Sequence, residues 1–411
     1  MTTGDNNKNL IHSIKQNQSE FTHCTECDNE KRTASLKVSH LRFPEFEGEW
    51  ERALLNHYLE ENKERNKKGV LSKNEVLSVS GDFGIVNQIE LLGRSFAGKS
   101  VLNYHIVRHG NIVYTKSPLK EYPYGIVKVN ERVDGIVSTL YAVYNVKANA
   151  NGKFVEYYFG LPSRANRYFK PIVRIGAKHD MKIGNDEVLS NYVVFPNISE
   201  QNRIADFISL LDDRIATQNK IIEKIESLIK GIYERLFNID GAKYLPLGRI
   251  TKIQKGQQIN GEELSEQGTY YVMNGGIVPS GYLETYNTSA NTISVSEGGN
   301  SCGYVQYNSA PFWSGGHCYT LIEPKDSINY KYLYHYMKYR EQSIMVLRIG
   351  SGLPNIQKKD LERFPILDIS REKQDKMIVV LDDLSAKVHT ERQVAIKYEE
   401  QKKYLLSNLF I

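Results

Sequence analysis

Apolar residues recur at alternating four- and three-residue spacing in two stretches of this chain. In the first, Ile204, Ile208, Leu211, Ile215, Gln218, Ile222, Ile225, Ile229, Ile232 and Leu236 run without a break, and Gln218 is the single polar member. Such spacing puts every member on one seam of a helix, facing a partner helix. Ser199, Glu200 and Gln201 suit the helix start, and Asn238-Ile-Asp-Gly241 suits its stop. A weaker seam lies near the end: Ile378, Leu381, Leu384, Val388, Ala395, Tyr398, Leu405 and Leu409. Eight basic and seven acidic residues between Arg371 and Lys403 give that helix a mixed, solvated outer face. Each helix needs an apolar partner and the two are near-copies, so they are predicted to pair with each other. An antiparallel coiled coil would set one globular domain at each end of a rod.

Elsewhere the period shortens. Gly110-Asn-Ile-Val-Tyr114 and Gly125-Ile-Val-Lys-Val129 read as strands, and the glycine pairs Gly275-Gly276, Gly298-Gly299 and Gly315-Gly316 read as tight turns. The expected fold class is α+β: two mixed α/β globular domains separated by two long helices. The expected boundaries are a polar, mobile tail over residues 1–35, a first domain over 36–195, a helix over 196–240, a second domain over 241–365 and a last helix over 366–411. A chain of 411 residues is too long for one core.

The two halves repeat each other at an offset of roughly 170–180 residues. Ser199–Phe237 answers Ser370–Phe410, and both carry a Leu-Asp-Asp step (Leu211 to Asp213, Leu381 to Asp383). Asn111–Ser117 answers Asn291–Glu297, Ile136–Ser138 answers Phe312–Ser314, Lys153–Tyr158 answers Lys331–Tyr336, and Arg174–Gly176 answers Arg348–Gly350. The period is too long for a solenoid, whose units run to about 20–50 residues.

The net charge of +5 is modest, but its distribution is not even. Arg94–Arg132 holds seven Lys or Arg against two acids, and Lys153–Lys182 holds the same ratio, which suits a polyanion. Four cysteines are too few for a disulfide framework, and no signal peptide or long apolar run is evident, so a cytoplasmic protein without a membrane span is expected. Gly93-Arg-Ser-Phe-Ala-Gly-Lys-Ser100 fits a phosphate-cradling loop by letter. Strand-like sequence follows where that loop needs a helix, so a basic surface loop is the reading. His23, Cys24 and Cys27 fall short of a four-ligand zinc set, and no metal site is expected. Cys302 and Cys318 read as packed thiols, and His317 as structural or ligand-facing rather than a general base. With no catalytic signature, the chain reads as a binder and not an enzyme.

Phosphate contact needs Lys, Arg and backbone amides, and base reading needs Arg, Gln, Asn or Ser beside them. The first domain offers Arg94, Lys99, Lys116, Lys128, Arg164, Arg167, Lys170 and Arg174. The second offers Lys255, Gln257, Gln258, Arg348, Ser351, Asn355, Gln357, Lys358 and Lys359. Two other readings are a scaffold whose helical rod is the working part and a P-loop nucleotide hydrolase.

Several of these segments together resemble the specificity subunits of type I restriction-modification systems. They are Leu41-Arg-Phe-Pro-Glu-Phe-Glu-Gly48, Gly110–Pro118 with Tyr122-Pro-Tyr-Gly125, the opening Glu200-Gln-Asn-Arg-Ile-Ala-Asp-Phe207 of the first long helix, and Gly350-Ser-Gly-Leu-Pro-Asn-Ile-Gln357. The resemblance covers about residues 36 to 411. It implies two target recognition domains, each reading one half of a split site on double-stranded DNA, with the helices as spacer. It also implies two methyltransferase subunits docked on the helices and two motor-nuclease subunits in the full complex. No cofactor would sit on this chain, since S-adenosylmethionine, ATP and magnesium would belong to those partners.

Overall fold

The computed structural model describes residues 39–98, 100–175, 181–350, 352 and 354–411. The chain divides into two compact units, Met1–Asp206 with Leu405–Ile411, and Phe207–Tyr404. The mobile-tail reading of residues 1–35, His23, Cys24 and Cys27, and the candidates Lys99 and Ser351 lie outside the described residues.

The first unit centres on an antiparallel sheet in the order Leu59–Glu61, Tyr141–Val146, Ile112–Thr115, Val127–Val129. Ile112–Thr115 is the strand predicted from its β-branched and aromatic run, and it is buried throughout. Helix Gly152–Phe159 starts where the Asn151 side chain accepts a hydrogen bond from the Phe154 amide. The next helix, Pro162–Phe169, starts on a proline, whose fixed φ suits that position. A packed aromatic group fills the interior: Phe154 meets Trp50, Phe195 and Phe410 with ring centroids 6.4, 5.0 and 5.1 Å away. Each such side chain contributes on the order of 1.5–3 kcal/mol by burial. Antiparallel strands Glu51–Leu54 and Tyr192–Phe195 close the unit.

Two of the segments singled out in the sequence meet here. The Arg42 guanidinium donates to both Glu200 oxygens at 2.8 and 2.7 Å, and the Trp50 indole N–H donates to the same carboxylate at 3.3 Å. Charge-assisted bidentate pairs of this kind fix geometry as well as contribute energy.

The second unit repeats the plan. Its sheet runs Lys252–Lys255, Cys318–Ile322, Thr292–Ser296, Val305–Asn308, again antiparallel. Helix Tyr330–Tyr339 follows, capped by Asn329, and strands Lys243–Pro246 and Pro365–Asp368 close it. The repetition extends to single hydrogen bonds. In the first unit Gln201 donates to the carbonyls of Pro196 and Asn149 and accepts from the Asn151 amide. In the second, Gln374 donates to the carbonyls of Ile369 and Ser327 and accepts from the Asn329 amide. Likewise Phe410 packs on Phe154 and Tyr158, and Phe237 packs on Tyr332 and Tyr336.

The long helices are Ile198–Phe237 and Arg371–Asn408. Every predicted seam residue is buried or half-buried, Ile222, Ile225, Ile229, Ile232, Leu236, Ile378 and Tyr398 among the latter. Within the second unit the helices run antiparallel: Asp212 pairs with Lys402 at 2.6 Å, Gln218 with Glu391, and Tyr233 and Phe237 share a core with Leu381. The polar member of the seam therefore meets a polar partner, its amide donating to the Glu391 backbone carbonyl at 3.1 Å and to the Glu391 carboxylate. A single polar layer of this type sets register at some cost in stability. Among the described residues no helix is long and apolar enough to cross a membrane.

Candidate nucleic-acid interface

In the second unit the edge strand Lys252–Lys255 runs into Gly256, Gln257 and Gln258, which lie beside the turn Ser314–His317. The approach is backbone to backbone. A Cβ on Gly256 would stand 2.2 Å from the Gly315 carbonyl oxygen, so only glycine fits. The Gln257 amide donates to the Ser314 carbonyl at 2.8 Å, and the Gly315 amide to the Met273 carbonyl at 2.9 Å. Asn274 accepts from the His317 amide at 3.1 Å. The segment Pro354–Ile356 lies against Glu297–Gly299: the Gly299 amide donates to Pro354 and the Ile356 amide to Glu297, at 3.0 and 2.9 Å. Asn355 and Ile349 exchange backbone bonds, which closes the intervening loop.

This framework brings Lys255, Gln257, Gln258, His317 and Asn355 to one glycine-lined surface, all of them exposed. Beneath it lies Glu297, 7% exposed, whose Oε1 accepts from the Lys255 ammonium at 2.7 Å and the Tyr319 hydroxyl at 3.0 Å. Glu297 thereby aims the lysine. Arg348, Gln357, Lys358 and Lys359 are exposed on the flanking segments. Lys358 also lines an open cleft with Arg249, Lys252 and Lys325. The surface thus combines amides that read base edges with cations that hold phosphate, on rigid loops. Cys302 and Cys318 are buried free thiols beside it, as expected, and burial pushes Cys318 up to about 11.

The first unit corrects part of the sequence expectation. Arg164 is 4% exposed and donates to the carbonyls of Tyr158 and Leu406 at 3.0 and 2.9 Å. It binds the last turn of the C-terminal helix, a position where a cation is favoured, and is no ligand contact. The Lys116 ammonium is half-buried, donating to the Ile183 carbonyl at 3.0 Å and to Asn185, and burial lowers its pKa. Lys128 pairs with Glu156 at 3.2 Å, both largely covered. These three charges serve the fold, because an acid or carbonyl far away in sequence takes up each one. Arg94, Arg167, Lys170 and Arg174 remain exposed and make no ion pair among the described residues. Arg94 lies over the Phe96 ring at 4.6 Å.

The phosphate-loop letters do not form that motif. Helix Gln88–Leu92 precedes the glycines and ends at Gly93 in the left-handed region, and strand His105–Val107 follows. A phosphate loop needs the helix afterwards. Glu297, Asn274, Arg249 and Lys325 were not singled out in the sequence. The glycine pairs that face Asn274 and Glu297 were the one available signal.

The family described as type I restriction modification DNA specificity domain matches residues 240–398, the stretch that builds this surface. Over nearly its whole length the fold is similar to a type I restriction-modification S subunit from Mycoplasma genitalium, with TM-score 0.65 over 91% of this chain and 99% of that one, at 18% identity. Residues 240–398 are thus similar to the DNA specificity domain of the type I systems. Proteins named as type I specificity subunits are similar in sequence: one from Mycoplasma pneumoniae is 37% identical over 122 residues, and one from M. genitalium is 29% identical over 169. The aligned stretches span 29% and 39% of this chain, and 32% and 43% of those two proteins. The matched stretch lies within the second unit, Phe207–Tyr404.

Proposed function

We propose that this chain is a type I specificity subunit that reads a bipartite, asymmetric sequence on double-stranded DNA, one half with each unit, and positions methyltransferase and motor-nuclease subunits there. The observation that carries the reading is the duplicated sheet-and-helix unit, whose second copy presents Lys255, Gln257, Gln258 and Asn355 on one glycine-lined surface. Two copies with different surface residues suit two different half-sites. The long helices act as the spacer; 40 and 38 residues at about 1.5 Å each reach roughly 60 Å. Their exposed apolar side chains, among them Leu210, Leu228, Val379 and Ile396, favour docking of partner subunits. Two methyltransferase and two motor-nuclease subunits are the proposed complement. S-adenosylmethionine, ATP and magnesium are assigned to them, in the cytoplasm.

Binding of the purified chain to duplex DNA should weaken steeply between 50 and 200 mM salt, by about tenfold or more, because each phosphate contact releases counterions. Lys358→Ala with Lys359→Ala should flatten that slope across all sequences alike. Duplex binding that ignores salt would contradict the reading. So would methyl transfer by the chain alone.

A further inference from the structure

Both units hold a β-hairpin with large apolar side chains at its tip. In the first, strands Leu77–Ser80 and Gly84–Asn87 pair antiparallel, and Phe83 at the turn is 62% exposed. In the second, strands Tyr270–Met273 and Gly281–Leu283 pair antiparallel, and Ile277 and Val278 at the turn are 56% and 64% exposed. The hairpins occupy the same place in the two copies. Val76, just before the leading strand of the first, and Val272, within that of the second, each make a parallel bridge, to Ile136 and Trp313, with the segment that leads into the second strand of the sheet. Single exposed apolar residues are ordinary on any surface. Here they recur at the turn of the same hairpin in both copies.

Hydrogen bonds brace both hairpins near the turn. The Ser80 hydroxyl oxygen accepts from the Asp82 and Phe83 amides, each at 3.2 Å, which fixes Phe83 outward. In the second hairpin the Ser296 hydroxyl donates to the Gly275 carbonyl at 2.6 Å, and the Ser280 amide to the Val272 carbonyl at 2.8 Å. The base of this second tip is part of the surface described above. Gly275 adopts φ +84°, and a Cβ there would stand 3.1 Å from His317 Cβ; its neighbour Asn274 faces Gly315, beside Gln257. In the second unit the base of the apolar-tipped hairpin thus lies beside an amide suited to base edges.

We infer that the hairpin tips, Phe83 in one unit and Ile277 with Val278 in the other, enter a groove of the target DNA and make apolar contact with its bases. Apolar side chains can discriminate by meeting the thymine methyl or by wedging at a base step. The tips differ, an aromatic ring against two branched aliphatics, as readers of two unlike half-sites require. Because they carry no charge, they add discrimination without adding phosphate affinity. This inference rests on the DNA-reading role proposed above.

The test uses the full chain expressed with its methyltransferase subunits in cells free of other DNA methylation, with methylated bases mapped by single-molecule sequencing. Phe83→Ser should relax discrimination at one or two base pairs of one half-site only, by about fourfold or more, the scale of one lost methyl contact. The double change Ile277→Ser with Val278→Ser should relax the other half only. Ile277→Leu with Val278→Ile, which keeps the apolar surface, should retain the original motif, and duplex binding by each variant should keep the wild-type salt slope. An unchanged motif in both serine variants overturns the inference while leaving the DNA-reading role intact. A changed salt slope also overturns it, since the side chains would then act through phosphate. If the wild-type chain itself confers no methylated motif, the DNA-reading role fails, and the hairpin inference with it.

Discussion

Whether a basic residue is available to a ligand is decided by what lies beside it in space, and Arg164, Lys116 and Lys128 show this most plainly. Sequence places all three in positively charged stretches; the fold gives each a carbonyl or carboxylate drawn from a distant segment. Nothing in the local sequence reveals that Leu406 lies 242 residues from Arg164 yet accepts its hydrogen bond. Burial lowers the Arg164 pKa to about 10, so it stays charged at neutral pH and must be paired. Arg164→Ala would strand the Tyr158 and Leu406 carbonyls, each costing about 1–3 kcal/mol when buried without a partner. Urea unfolding should therefore show a loss of about 3 kcal/mol, whereas Arg167→Ala, on the exposed face of the same helix, should change stability by less than about 0.5 kcal/mol. Equal effects would mean that Arg164 is no more than a surface residue.

At the scale of elements, the long helices were the most legible part of the chain. Their period is local information, repeated over many turns, and seam burial follows from it directly. The short strands of the glycine-rich surface were legible only as turns, because the neighbours of Gly256, Gly275 and Gly298 come from segments far away in sequence. Gln201 and Gln374 illustrate a middle case. They recur in the repeat, and the fold shows why: each satisfies three backbone groups where a long helix meets a domain helix. Gln201→Ala and Gln374→Ala should each lower stability by about 3 kcal/mol, the order expected for several buried groups left unpaired. Gln218→Leu, in the seam, should be neutral or stabilising, since a polar layer sets register at the expense of stability. Guanidinium melts of the three variants check this. A larger loss from the seam change than from the other two would reverse the assignment.

For the whole molecule, the duplication read from scattered matching segments is present in sheet order, closing strands and single hydrogen bonds of the two units. The compact units divide inside the long helices, at Asp206 and Tyr404, a boundary that no composition shift marks. The central claim is that each unit reads its own half of a DNA site. Residues 40–195 can be exchanged for the matching domain of a related subunit, and the hybrid expressed with the proposed methyltransferase partner in cells otherwise free of methylation. Mapping methylated bases should return a bipartite motif in which one half has changed while the other half and the gap are retained. A motif altered in both halves, or not altered at all, would contradict the account.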